Sequence, residues 1–77
     1  MVTRLPTVTA KTMIRFLESQ GFEKVRSRGS HHFFRHPDGR TATVPVHPGE
    51  DLGRGLINKI LHDVEIDRLT LIAWLEK

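Results

Sequence analysis

Apolar positions along this chain change period twice. Ala10, Met13, Ile14 and Leu17 recur at helical spacing and predict a helix over residues 10–20. Thr9 stands where it can cap the first turn, and Gly21 where a left-handed residue can end the helix. From residue 22 the pattern turns to alternation, which predicts strands over 22–28, 30–36 and 40–46. Pro37, Asp38 and Gly39 make a turn between the second and third, because proline presets its φ and glycine accepts a positive one. In the third strand Ala42, Val44 and Val46 share one side and Thr41 and Thr43 the other. Pro45 cannot donate a ladder hydrogen bond, so that strand is expected at an edge or bulged. After a loop at 47–51 the helical period returns over 54–64, with Leu56, Ile57, Ile60, Leu61 and Val64 on one face. Asp67 then caps a short last helix, whose Leu69, Ile72 and Ala73 form the expected buried face. Trp74 and Leu75 fall on another side of it, to finish the core or serve an interface.

The order is α-β-β-β-α with a short extra C-terminal helix. It predicts an α+β fold like the double-stranded RNA-binding domain: a three-stranded antiparallel sheet with helices on one face and the other face free. A chain of 77 residues is expected to be one domain over 1–77. Its core is thin, since a domain of this size buries only about 60% of its unfolded surface. There are no cysteines, so neither a disulfide nor a thiolate metal site braces it. The first 15 residues lack an apolar run of signal-peptide length, and no segment reaches membrane-spanning length. A cytoplasmic protein is expected.

Charge is unevenly spread. Residues 1–47 hold eight lysines or arginines against three acids, a balance of +5, together with four histidines. Residues 48–77 hold four against six, a balance of −2. A basic first part attracts polyanions such as nucleic acid, although a solvated surface has the same composition.

The run from Arg26 to Arg40 concentrates the candidate chemistry. Alternation puts His31, Phe33 and Arg35 on one face of their strand, and His32, Phe34 and His36 on the other. Phe34 is the better core residue, which leaves His31 on the open face. A neutral imidazole there can take the proton of a ribose 2′-hydroxyl while guanidinium groups hold the phosphate. The same histidine can equally be an exposed side chain without a duty. Metal binding fits poorly: His32 and His36 lie roughly 13 Å apart at about 3.3 Å per residue, and His31 and His36 point to opposite faces. Gly53-Arg54-Gly55 opens the second long helix and could meet a phosphate, but also reads as a simple helix start.

These residues resemble a known family. Gly29-Ser30-His31-His32-Phe33-Phe34-Arg35-His36-Pro37-Asp38-Gly39-Arg40, then Val44-Pro45-Val46-His47, then Leu52 through Gly55 and Ile60-Leu61, are similar to the HicA toxins. The stretch from Met13 to Phe22 matches as well, and only the tail through Leu69 to Lys77 departs. The resemblance implies metal-independent cleavage of mRNA with no cofactor, and neutralisation by a HicB-type antitoxin. It implies one catalytic histidine, the one after Gly-Ser, which is His31 here. His47 matches the histidine after the family's V-P motif.

The expected function is therefore an RNA endonuclease toxin. His31 acts as base or acid, Gly29 and Ser30 shape its turn, and Lys24, Arg26, Arg28 and Arg35 hold the RNA backbone. His47 or water supplies the leaving-group proton. The competing readings are a non-catalytic double-stranded RNA-binding module and a protein whose basic face meets an acidic partner.

Overall fold

The computed structural model describes residues 5–77. Helix α1 spans Ala10–Ser19 and starts as its sequence requires, with Thr9 Oγ1 accepting from the Thr12 amide at 3.2 Å. It buries Ala10, Met13, Phe16 and Leu17. Phe16 is fully buried although the predicted stripe omitted it, whereas Ile14 of that stripe is only half-buried. Gly21 has φ +95°, which only glycine adopts without strain, and turns the chain so that Phe22 enters the core.

Strands β2 (Glu23–Arg28), β3 (His31–Arg35) and β4 (Thr41–Pro45), whose numbering follows a short strand β1 at Val8–Thr9, form an antiparallel meander in the order β2-β3-β4. Thus Pro45 ends an edge strand, where its missing donor costs no ladder bond. Phe34, Ala42 and Val44 are buried on the helix-covered face, while Thr41 and Thr43 on the other are exposed. Gly29 and Ser30 alone connect β2 to β3, with Arg28 paired to His31. Gly29 has φ +58° and Ser30 does not, the pattern of a II′ hairpin turn.

One residue of β2 breaks the ladder. Lys24 pairs with Phe34 but Arg26 pairs with Phe33, leaving Val25 as the extra residue of a bulge. Because side chains alternate, the insertion reverses the facing of everything after it. Arg26 and Arg28 therefore share the face of Phe33 and His31, and Lys24 lies on the opposite face with Phe34.

Helix α2 (Arg54–Val64) has the predicted bounds and buries Ile57, Ile60, Leu61 and Val64. Strand β5 (Asp51–Leu52) pairs with β1 in a two-stranded antiparallel ribbon, so the expected loop over 47–51 ends in a strand. Arg54 Nε donates to the Leu5 carbonyl at 2.6 Å and ties α2 to the start of the ribbon. That bond gives Arg54 a structural duty. Helix α3 (Arg68–Leu75) is capped by Asp67, which accepts from the Thr70 amide at 2.9 Å and hydroxyl at 2.7 Å. Its buried face is not the expected one. Leu71 is fully buried, Leu69 and Ala73 are exposed, and Trp74 and Leu75 pack on the core. Trp74 meets Phe16 edge-on with ring centroids 5.5 Å apart. Among the described residues no helix is long and apolar enough to cross a membrane.

Candidate active site

The uncovered sheet face is built as three cross-strand rows. Arg28, His31 and Pro45 make the first, Arg26, Phe33 and Thr43 the second, and Glu23, Arg35 and Thr41 the third. The Arg26 guanidinium lies 4.7 Å from the centroid of the Phe33 ring, which holds the cation flat against the sheet. His31 is exposed, and the Ser30 carbonyl just before it accepts from the Val46 amide at 2.7 Å. That bond clamps the turn onto β4 and fixes where His31 emerges. Among the described residues, none of Arg26, Arg28 and Arg35 lies within ion-pair distance of a carboxylate, although Glu23 is opposite Arg35.

Beside His31 the edge of β4 and helix α2 enclose a cleft of about 220 Å³. His31, Thr43 and Pro45 line it from the sheet, and Leu56, Lys59, Ile60 and Asp63 from the helix. Lys59 Nζ is 2.8 Å from Asp63. No pattern in the sequence singles out Lys59. It sits on the polar shoulder of an amphipathic helix, where nothing in the spacing says which strand it will face. Among the described residues it is the one lysine or arginine in the lining of this cleft.

The other candidates divide. Arg28, Gly29 and Ser30 flank His31, while Arg26 and Arg35 share its face one and two rows further along, Arg35 roughly 13 Å away at about 3.3 Å per residue. Lys24 does not join them, because the bulge at Val25 separates it from the two arginines that follow. His47 is exposed and lines a different cleft, between α1 and the connection after β4. His32 is half-buried beneath the sheet, opposite Val44. Among the described residues no three His, Cys, Asp or Glu side chains come together as a metal cluster would.

His36 and Arg40 serve the fold. His36 Nδ1 accepts from the Asp38 amide at 3.1 Å, and the ring packs edge-on against Phe22 with centroids 5.1 Å apart. Arg40 donates through Nε to Asp38 at 2.8 Å and through Nη1 to the Val64 carbonyl at the end of α2. That helix ends with Glu65 in the left-handed region at φ +57°, so its last carbonyls need outside donors. The Arg40 guanidinium also lies 5.2 Å from the Phe22 centroid. The His-Pro-Asp-Gly-Arg run is therefore a lock between the β3–β4 turn, the end of α1 and the end of α2.

A family model described as "HicA toxin of bacterial toxin-antitoxin" matches residues 10–66. The chain belongs to the HicA toxin family. No curated protein matches it. The HicA match runs from the first residue of α1 to just past α2, so it takes in the whole meander and the Gly29-Ser30 turn. Helix α3 falls outside the HicA match, which agrees with the tail's departure from the resemblance. As a HicA toxin the protein is one component of a toxin–antitoxin system.

Proposed function

We propose that this HicA toxin is an endoribonuclease that cleaves mRNA through His31. The observation that carries the reading is His31 itself. It is exposed at the mouth of a rigid turn, on the face where three arginines have no carboxylate partner among the described residues. In the reaction His31 takes the proton of a ribose 2′-hydroxyl, whose oxygen attacks the adjacent phosphorus. The P–O5′ bond breaks, leaving a 2′,3′-cyclic phosphate, and the 5′-oxygen takes up a proton. Arg26, Arg28 and Arg35 hold the backbone, and Lys59 faces the charge that builds on the phosphoryl oxygens. The leaving-group proton comes from water or from His31 once it has been charged, since His47 lines a separate cleft. No metal or cofactor takes part.

The same face is the surface that a HicB-type antitoxin covers in the cytoplasm. An acidic partner surface laid on the arginines would be drawn in quickly and set in register. Phe33, half-buried at the centre of the face, would supply the apolar contact. The acidic second part, with Glu50, Asp51, Glu65 and Asp67, stays largely outside, except that Asp63 lines the His31 cleft.

Cleavage of RNA by the purified protein tests the reading. Activity is expected to persist in excess chelator and to vanish in a folded His31→Ala variant. Full toxicity of that variant, or chelator loss reversed by one divalent ion, would defeat it. Binding of RNA without cleavage would make the protein a non-catalytic module. For the partner, hydrogen exchange should show protection centred on residues 30–35 in the complex. Protection confined to α3 would mean inhibition from a distance.

A further inference from the structure

A second cleft, of about 610 Å³, opens between α1 and the connection from β4 to β5. Lys11, Ile14 and Arg15 line it from the helix, and Val46, His47 and Pro48 from the connection. Its origin is local. Ile14 belongs by spacing to the apolar stripe of α1, but the chain after β4 stands off from the helix and leaves Ile14 half-buried. Val46 is likewise half-buried, and the two pack on the core as an apolar floor. Above them Lys11 and Arg15 stand one helical turn apart, both exposed, with His47 on the facing wall. Among the described residues neither cation lies within ion-pair distance of a carboxylate. Glu18, further along α1, is the acid of the lining.

The cleft is close to His31 along the backbone. Pro45 is the cross-strand partner of His31, which sets their Cα atoms about 5 Å apart. His47 is two residues on, at most about 7 Å further. Pro45 lines the cleft of His31 and its neighbour Val46 lines this one, so the two clefts meet the chain at adjacent residues at the end of β4.

We propose that this cleft is a nucleotide subsite for the RNA strand on which His31 acts. An unstacked base lies on Ile14, Val46 and Pro48, and its phosphate meets Lys11 and Arg15, with His47 closing over the pair. Flat apolar floor and unpaired cations together match a ligand with a planar base and an anionic linker. An acidic peptide would use the cations and leave the floor empty. Duplex RNA keeps its bases stacked and out of such a cleft. The proposal rests on the RNA-cleaving reading and gives His47 a binding duty.

Binding of a short single-stranded 2′-O-methyl RNA, which lacks the attacking hydroxyl, tests it. Lys11→Ala with Arg15→Ala should weaken binding about tenfold, the loss expected for charge-assisted contacts. The slope of log affinity against log salt should fall by about 0.7 for each lost phosphate contact. Arg68→Glu on α3 controls for net charge and should stay within about twofold. In cleavage assays His47→Ala should raise KM about fivefold and leave kcat unchanged. A nucleoside monophosphate should shift the Ile14 and Val46 methyl resonances in NMR.

Equal binding by the Lys11/Arg15 and Arg68 variants, or silent methyls, would overturn the subsite. A fall in kcat at constant KM for His47→Ala would move that residue to the reaction and overturn it too. If cleavage still depends on His31 while those cleft variants bind normally, the subsite falls and the endonuclease reading stands. If the chain binds no RNA, both fall. Loss of antitoxin binding with RNA binding intact would give the cleft to the protein partner.

Discussion

The two ends of strand β3 use the same residue types for opposite purposes. At its start a histidine and an arginine flank the Gly29-Ser30 turn, and at its end a histidine and an arginine flank Pro37-Asp38-Gly39. His36 and Arg40 spend their polar atoms inside the protein, on the Asp38 amide, the Asp38 carboxylate and the Val64 carbonyl. His31 and Arg28 make no side-chain hydrogen bond or ion pair among the described residues, and both are exposed. A satisfied histidine is bound into the fold and has little left to offer a substrate. An unsatisfied one, held in place by backbone alone, is free to exchange a proton. Partner satisfaction, and not residue type, separates a structural His-Arg pair from a chemical one.

The sharpest way to break that contrast is to remove each histidine. His31→Ala should cost about 10²–10⁴-fold in the rate of RNA cleavage while leaving the melting temperature unchanged. His36→Ala should do the reverse, lowering the melting temperature while the remaining folded protein cleaves at the normal rate. If His36 proves essential and His31 dispensable, the two ends of β3 have been assigned the wrong way round.

Arg40→Ala tests the lock directly. It strips a donor from the end of α2 and from Asp38, so chemical denaturation should show a loss of about 1–3 kcal/mol with kcat retained. Stability within error of the parent would mean that water replaces the guanidinium at the Val64 carbonyl.

Arg28→Ala with Arg35→Ala should weaken RNA binding several-fold and lower the salt slope by about 1.4, at roughly 0.7 per contact on a single strand. An unchanged slope would put the RNA on another face.

The smallest effect concerns Asp38. The amide of Arg40, and after it the Arg40 guanidinium, hold its carboxyl below the usual 3.8 against an opposing effect of burial. A folded pKa below the unfolded one contributes stability at neutral pH that drains as pH falls through about 4 and below. Asp38→Asn should flatten the acid limb of the stability curve. It should not abolish the limb, because the Thr70 hydroxyl and amide lower Asp67 in the same way. An acid limb identical to the parent's would mean that the Asp38 contacts form equally in the unfolded chain.

Much of this molecule is legible from residue order. Thr9 and Asp67 announce caps, the apolar face of α2 fixes its bounds, and Gly29-Ser30 fits a two-residue hairpin. What escapes does so for physical reasons. The β1–β5 ribbon has two residues per strand, too few for any period to register. Helix α3 is apolar nearly all round, so its sequence carries no preferred side, and docking against Phe16 decides for Trp74 over Leu69. At the site, alternation places His31, Phe33 and Arg35 together, and it would keep Lys24 with Arg26 and Arg28. Val25 undoes that grouping, yet valine is an ordinary strand residue and nothing about it marks a bulge. Lys59 and the cleft under His47 depend on how helices meet the sheet, which is long-range information.

The bulge has a second consequence, for self-association. Among the described residues strand β2 is an edge, with an unpaired row of amides and carbonyls along six exposed residues. Such an edge is a template on which another chain can build and polymerise. A twisted, irregular edge carrying Lys24, Arg26 and Arg28 offers a second strand neither a straight ladder nor a neutral surface. Removing Val25 would straighten the ladder and leave Arg26 and Arg28 paired with Phe33 and His31, so a chain without that residue would keep its arginine face and gain a tendency to form fibres.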